Sequence, residues 1–298
     1  MHVNVIHLFL VAGYVLLFIG ALLGVAAWRK RRSDARWPVE TKLRRGPGES
    51  LRRRTDKLWE DFAWVLYVAT FAPLMLGTSV VWFLSKTAPT TRLNVALAIA
   101  ATVTLAGLII TGAWALKRLR IIVNHRLGYF GERVVGEFLE PLLADGYRVF
   151  HDVPGEGREK YFNLDHVAVG PSGVTLIETK TRRKGRARQG FPDHEVSFDG
   201  QRLIWPWGED RSGLDQAVRN ADYLHSWIKQ RTGLDVMVRP ILTLPGWYVH
   251  EKRGTGIRVV NSKILSGVIR DSGDRVLSDE HIDLIARQLD VVCRDVEE

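Results

Sequence analysis

Apolar residues dominate three charge-free stretches in the first part of the chain, at 5–28, 62–85 and 93–116, each 24 residues long. A helix of that length reaches roughly 36 Å at about 1.5 Å per residue, which exceeds a hydrocarbon layer about 30 Å thick. A buried helix of a soluble protein is the alternative for any single stretch, but three together favour transmembrane helices. The basic cluster 29–32 follows the first stretch instead of preceding it, which indicates an anchor rather than a cleaved signal peptide. We therefore predict a membrane region over 1–120 with three spans.

The distribution of Lys and Arg predicts how these spans are oriented. The connection 29–61 carries 12 basic residues, whereas 86–92 carries only Lys86 and Arg92. The positive-inside rule puts 29–61 and everything after residue 116 in the cytoplasm, with the N-terminus outside. The breaker Gly46-Pro47-Gly48 predicts that 29–61 is a flexible loop against anionic headgroups, and a nucleic-acid role for this loop stays open. These features predict a multi-pass protein of the inner cell membrane.

The net charge of +9 is located almost entirely in the membrane region. Residues 1–116 hold 14 Lys and Arg against 6 Asp and Glu, whereas residues 117–298 hold 28 against 27. The basic balance of the whole chain is therefore no evidence that its C-terminal part binds DNA. The only cysteine in the sequence, Cys293, excludes an intrachain disulfide and a metal cluster of several cysteines.

Beyond residue 120 the pattern changes to that of a mixed α/β domain, 121–298. Apolar residues at every fourth position predict an amphipathic helix over 129–144. The segments 170–173 and Asp199-Gly200 are turn signals of two β-hairpins, and Ser278 is a candidate N-cap of a last helix. The remaining predicted elements are a helix at 213–231 and strands at 147–153, 164–169, 174–180, 195–198, 202–205, 236–242 and 257–260.

Charged residues end two otherwise apolar strands of the first predicted hairpin. Successive strand residues point to opposite faces, so Glu178 and Lys180 project to the same side. The hairpin places Asp165, near the start of the partner strand, beside them. Two carboxylates suit a hard divalent cation such as Mg²⁺ or Mn²⁺, and a neighbouring lysine can help to deprotonate water and offset phosphate charge. The arrangement predicts metal-assisted phosphodiester hydrolysis, with a structural ion pair at the strand edge as the alternative.

Three segments carry a resemblance to the nuclease-related domain (NERD) family. They are GYFGERVV at 128–135, NLDHVAVGPSG at 163–173 and IETKT at 177–181. The resemblance covers roughly residues 126–245. Because this family belongs to the PD-(D/E)xK superfamily, the resemblance implies a restriction-endonuclease-like fold with a mixed central sheet flanked by helices. The chain departs from the superfamily signature at Leu164, where a proline would precede the aspartate.

The resemblance also implies roles for the residues at the matching positions. Asp165 and Glu178 would be metal ligands, and the carbonyl of Thr179 is a possible third ligand. Lys180 would lie beside the attacking water. The implied cofactor is Mg²⁺ or Mn²⁺.

Two further residues match positions outside the hairpin. Glu132 matches an acidic residue on the first helix of the superfamily, with a solvated carboxylate at a helix start as the alternative. Gln216 matches a glutamine on the helix after the catalytic strands. At helical spacing Gln216 shares a stripe with Asn220, Tyr223 and Trp227, which either faces the site or forms a polar helix flank.

Two other features bear on a nucleic-acid partner. The run 180–188 contains six basic residues in nine, and either contacts phosphates or faces lipid headgroups as a solvated loop. Trp205, Trp207 and Trp247 could stack on bases, although core packing is expected for at least two of them. His151 and His166 are expected to be structural histidines.

The sequence as a whole predicts a membrane-anchored, metal-dependent nuclease that acts in the cytoplasm, with DNA as the first candidate substrate. The alternative is a non-catalytic, membrane-anchored module on the same fold that binds nucleic acid or takes part in signalling. A transporter is disfavoured because the spans contain no Asp, Glu, Lys or Arg.

Overall fold

The computed structural model describes residues 41–87, 93–156, 161–185, 187–253, 256–271 and 273–296, together with nine positions between 13 and 28. Those nine positions are helical, and the rest of the predicted span 5–28 lies outside the described residues. Residues 44–296 form one compact unit, which contains the residues of both later predicted spans and the C-terminal domain.

Two long helices precede the α/β domain, and each contains one of the predicted spans. Helix α1 (Glu49–Thr87) has 39 residues and helix α2 (Leu93–Leu139) has 47. In the described part of the chain, these are the two helices that are long and apolar enough to cross a membrane. Large side chains such as Leu105, Ile109 and Ile110 are more than half exposed, which is the pattern expected where a helix faces lipid.

Both helices extend well beyond the predicted spans. Helix α1 begins at Glu49, so the prediction of a flexible loop is wrong for residues 49–61. Glu49 pairs with Arg52 at i+3 and with Arg53 at i+4, and both ion pairs stabilise the first turns. Helix α2 runs without a break into the predicted amphipathic helix and is followed by a 3₁₀ helix, Glu140–Asp145. The third predicted span is therefore continuous with the first helix of the domain.

The described residues form three sheets, of which the smallest has two strands, the first and the last in the chain. In chain order the strands are β1 (Leu43–Arg44), β2 (Arg148–Glu156), β3 (Tyr161–Gly170), β4 (Gly173–Thr179), β5 (Glu195–Phe198), β6 (Leu203–Trp205), β7 (Gly208–Asp210), β8 (Val238–Thr243), β9 (Tyr248–Glu251), β10 (Arg258–Val260) and β11 (Arg294–Val296). The central sheet has the order β10-β8-β4-β3-β2, antiparallel from β2 to β4 and parallel from β4 to β10. The second sheet has the order β7-β6-β5-β9.

Helices cover both faces of the central sheet. The remaining helices are α3 (Ser212–Thr232), a 3₁₀ helix (Ser262–Ile264), α4 (Leu265–Arg270) and α5 (Asp279–Cys293). On one face, Leu224 of α3 and Ile285 of α5 pack in a buried cluster with Leu176. On the other face, Val135 of α2 and Ile269 of α4 pack with Ile177. Leu176 and Ile177 are consecutive, so the alternation of β4 supplies both cores, and the mixed α/β class is confirmed.

Most predicted elements of the domain are confirmed within a few residues of their predicted ends. The hairpin turn at Pro171-Ser172 joins β3 to β4, and Ser278 caps α5 by accepting a hydrogen bond from the His281 N–H. Strands β1, β7, β9 and β11 and helix α4 were not predicted. Each of them has six residues or fewer, which is too short for a periodic pattern to identify.

Candidate active site

The candidate site lies where β3 and β4 separate. The last residue pair that joins these strands is His166 with Ile177. Beyond it, β3 continues to pair with β2 through Leu164, and β4 continues to pair with β8 through Glu178 and Thr179. Each strand therefore keeps its outer neighbour while the inner pairing stops, and a fork opens in the sheet at this point.

Asp165 occupies the fork. Its Oδ2 accepts a hydrogen bond of 2.7 Å from the backbone N–H of Thr179. The side chain of Asp165 therefore takes the place of a β3 carbonyl at the point where the pairing of β3 with β4 stops. This bond brings Asp165 next to the acidic end of β4, as the hairpin argument predicted. The Thr179 hydroxyl is buried without a hydrogen-bond partner among the described residues. A metal-ligand role for the Thr179 carbonyl stays a prediction.

Lys180 joins the end of β4 to helix α3. Its Nζ donates to Oε1 of Glu178 at 2.8 Å and to Oε1 of Gln216 at 2.9 Å. Asn220, one turn after Gln216, donates through Nδ2 to the other carboxylate oxygen of Glu178 at 3.2 Å. Gln216 and Asn220 therefore face the site, and Glu178 is held by a cation on one oxygen and an amide on the other.

The rest of the predicted stripe on α3 has a different role. Tyr223 and Trp227 are partly buried against the core between α3 and α5. Phe162 contacts Tyr223 edge to face, with ring centroids 4.9 Å apart. The stripe thus changes from site contacts to core packing within three turns.

Glu132 reaches the site from helix α2. Only 7% of it is exposed, so it is not the solvated carboxylate of the alternative interpretation. Burial raises the pKa of Glu132 to about 8, and the negative charges of Asp152 and Glu178 add to this rise, while Lys180 opposes it. The backbone of Gly48, next to the start of α1, also lowers this pKa.

Asp152 is a site residue that was not predicted. It lies on β2 opposite Asp165, is 1% exposed and has a left-handed φ of 50°. Phe150 and Val153 flank it and pack in the same core cluster although they are three residues apart, so the strand alternation is shifted at Asp152. Aspartate tolerates this conformation better than most residues, and an acidic residue inside an apolar strand was the available signal.

The buried carboxylates raise one another's pKa values. The pKa of Asp165 is well above its usual value, chiefly because of burial and then because of the charges of Glu178 and Glu132. Burial also raises the pKa of Glu178, against the opposing effects of Lys180 and Asn220. Three carboxyl groups therefore lie near one ammonium group, and this crowding of hard oxygen donors is chemistry that suits a divalent cation.

The donor set is sparse. In the described part of the chain, no group of three or more His, Cys, Asp and Glu side chains is arranged to hold a metal ion. Asp165 and Glu178 would thus supply two side-chain ligands at most. This number is compatible with Mg²⁺, which keeps several waters and binds through one or two carboxylates together with substrate phosphates.

The two histidines beside the fork pair with each other. Nδ1 of His151 lies 2.8 Å from Nδ1 of His166, on neighbouring strands. Burial lowers the pKa of His151 to about 4 and lowers the pKa of His166 well below its usual value. Both rings are therefore neutral at physiological pH, as expected of structural histidines.

The basic run after Lys180 lies beside the second sheet. Trp205 and Trp247 are buried there, as predicted, whereas Trp207 is 40% exposed and stacks on Trp205. Lys184 lies over the ring of Trp247, with Nζ 5.7 Å from its centroid. Arg182 pairs with Asp210 at 3.3 Å. Trp207 is thus the one of these three tryptophans with an exposed ring.

Fold and site together define a mixed α/β domain with a lysine and buried carboxylates at a fork of its central sheet. Residues 127–245 match the family model of NERD, the nuclease-related domain. The matched segment includes Glu132, the fork and Gln216, so the resemblance seen in the sequence is confirmed. No curated protein and no solved structure matches the chain.

Proposed function

We propose that this protein is a membrane-anchored nuclease that hydrolyses phosphodiester bonds with the help of Mg²⁺ or Mn²⁺. One observation carries the proposal: Lys180 is held by Glu178 and Gln216 at the fork that Asp165 occupies. An ammonium group fixed beside two carboxylates provides both a cation site and a positive charge for a phosphate. The family match supports a nuclease-related function.

Each residue has a part in the proposed reaction. Asp165 and Glu178 would hold the divalent cation, which supplies Lewis-acid chemistry at a phosphoryl oxygen. Lys180 stabilises the negative charge that develops on the phosphate and orients the attacking water, while Gln216 and Asn220 keep Lys180 and Glu178 in place. Substrate binding in the fork excludes bulk water and strengthens these electrostatic interactions.

The proposed substrate is nucleic acid, with DNA as the first candidate. The side chains of Arg183 and Lys184 are exposed in the basic run that leaves the fork. Such a run binds phosphates without regard to base sequence, so binding should weaken as salt concentration rises. Trp207 offers an aromatic face for stacking on an unpaired base.

The proposed location is the inner cell membrane, with the domain in the cytoplasm. Helices α1 and α2 each contain an apolar stretch of sufficient length, and the Lys and Arg residues cluster at the domain side of both. Because α2 continues from the apolar stretch to Glu132, the site would lie close to the membrane surface in this proposal. The predicted first span is an additional anchor in this proposal.

The test uses the full chain in detergent micelles, incubated with single-stranded, duplex and branched DNA and with RNA. Cleavage is expected with Mg²⁺ or Mn²⁺ and not with EDTA. The variant Lys180→Ala should lose at least about 100-fold in rate, whereas the matched control Lys229→Ala, an exposed lysine on α3, should cleave like the wild type. A folded protein that binds DNA and Mn²⁺ but cleaves nothing would favour the non-catalytic binding module.

A further inference from the structure

The segment Arg45–Ser50 lies far ahead of the matched domain in sequence but touches the candidate site in space. Gly48 lies close enough to Glu132 for its backbone to lower the pKa of that carboxyl group. Gly48 is buried and has a φ of 72°, and a side chain there would collide with the ring of Tyr129. Only glycine fits this position without strain, so the close approach of the segment to α2 depends on the residue type at position 48.

The same segment surrounds the carboxylate of Asp152. Ser50 donates twice, from its N–H to Oδ2 at 2.9 Å and from its hydroxyl to Oδ1 at 2.5 Å. Nη1 of Arg45 donates to Oδ2 at 3.0 Å and to the Asp152 carbonyl at 3.0 Å. A carboxylate that is 1% exposed therefore has its charge balanced by residues from outside the family segment.

The other contacts of the segment fix its position on α2 and the C-terminal strand. A side chain at Gly136 would collide with Pro47, and one at Gly128 would come within 3.1 Å of Leu51. The guanidinium of Arg45 also pairs with Asp295, at 2.6 Å. The segment thus spans from the α2 helix to β11, with Asp152 and Glu132 beneath it.

We propose that Arg45, Gly48 and Ser50 are positioning residues of the active site and complete it from the membrane-proximal part of the chain. Gly48 allows the segment to pack closely against Tyr129 of α2, one turn before Glu132. Arg45 and Ser50 keep Asp152 in its left-handed conformation, which in turn sets where β2 runs past Asp165. The inference rests on the proposed nuclease function, and it implies that the matched domain alone does not contain the whole site.

The first test compares Ser50→Ala with Ser79→Ala in the full chain. Ser79 is an exposed serine of the same helix whose hydroxyl bonds only to a carbonyl of that helix among the described residues. In Ser50→Ala, kcat for DNA cleavage should fall about tenfold with KM for DNA unchanged, and Mn²⁺ affinity should weaken by a similar factor, because residues that orient a cation site typically have effects of this size. Ser50→Thr, which keeps a hydroxyl, should restore most of both quantities.

The second test guards against a variant that fails to fold. Arg45→Lys keeps the charge but loses the planar guanidinium group that reaches both Asp152 and Asp295. Asp295→Asn removes only the charge of the partner on β11. Arg45→Lys should lower kcat and Mn²⁺ affinity, whereas Asp295→Asn should leave both near the wild-type values. Equal effects of the two variants would show that Arg45 only connects the start of α1 to β11, and this would overturn its proposed role.

Binding and cleavage together separate failure of the proposal from failure of the function. The wild type could bind Mn²⁺ without cleaving DNA, with this binding weakened in Ser50→Ala and not in Ser79→Ala. That result would overturn the proposed nuclease activity and support the positioning role. Cleavage by the wild type with Ser50→Ala and Ser79→Ala indistinguishable would overturn the positioning role and keep the nuclease. A wild-type chain that neither cleaves DNA nor binds Mn²⁺ would overturn both.

Discussion

Glu132 provides a direct test of the electrostatics of the site. Its pKa of about 8 arises chiefly from burial, with added repulsion from Asp152 and Glu178. Replacement by glutamine keeps the shape of the side chain and removes the titrating group. Well below pH 4.5 the carboxyl group is neutral in both the folded and the unfolded chain. Its ionisation begins to oppose folding as the pH rises above 4.5, and the cost levels off above about 8.

The magnitude follows from the difference between the two pKa values. Glu132 titrates near 4.5 when unfolded and near 8 when folded, a difference of about 3.5 pH units. At about 1.36 kcal/mol per unit, its ionisation costs the folded state up to about 5 kcal/mol at pH 8 and above. Between pH 5 and 8 the free energy of unfolding should fall by up to about 1.4 kcal/mol per pH unit through this group alone.

The assay is thermal unfolding of the full chain in detergent with EDTA, at several pH values from 5 to 8.5. The melting temperature of the wild type should fall as the pH rises, and Glu132→Gln should lower this dependence and be the more stable protein at pH 8. Glu137→Gln, at an exposed position on the same helix, is the matched control and should follow the wild type. Parallel curves for the wild type and Glu132→Gln would show that ionisation of Glu132 does not cause this pH dependence.

Three further predictions concern packing and reactivity around the site. Gly131→Ala should destabilise the fold by about 1–3 kcal/mol in thermal unfolding, because the new methyl group would collide with Thr181 beside Lys180. The control Gly267→Ala, at a helical glycine with open space around it, should be neutral or stabilising. Asn220→Ala should cost about 1.5–3 kcal/mol in the same assay, because it removes the amide that bonds to Glu178, and no loss would show that this bond is dispensable. Burial raises the pKa of Cys293 to about 12, so mass spectrometry should find it unmodified by iodoacetamide at pH 8 until the protein unfolds.

The hairpin that carries the site could be predicted because each of its signals is local. Alternation identifies β3 and β4, and the Gly-Pro-Ser-Gly turn sets their register, which brings Asp165 to the end of β4. Glu178 and Lys180 lie on one side because they are two residues apart in a strand. Spacing alone therefore predicted that these charged side chains meet, and the 2.8 Å contact between the last two agrees.

The prediction of a flexible loop over 29–61 misses the start of α1, because it rests on the breaker at Gly46-Pro47-Gly48. The spacing of the charges carried the opposite information. Glu49 lies three and four residues before Arg52 and Arg53, an arrangement that stabilises a first helical turn. The breaker at Gly46-Pro47-Gly48 marks a turn that leads into this helix, and not the middle of a flexible segment.

Asp152 was missed for a different reason, because its role depends on contacts between residues distant in the chain. A strand prediction assigns each residue to one of two faces, and the left-handed φ of Asp152 interrupts that alternation. Its partners Arg45 and Ser50 lie about 100 residues earlier, separated from it by both membrane-length helices. No periodic pattern relates positions so far apart.

A buried carboxylate must nevertheless find a partner, since an isolated charge in a protein interior is strongly unfavourable. An aspartate inside an apolar strand therefore predicts that a cation or donors exist elsewhere in the chain, although it does not predict which ones. Here the partners are Arg45 and Ser50, so residues at and just before the start of a membrane-length helix also balance the charge of Asp152.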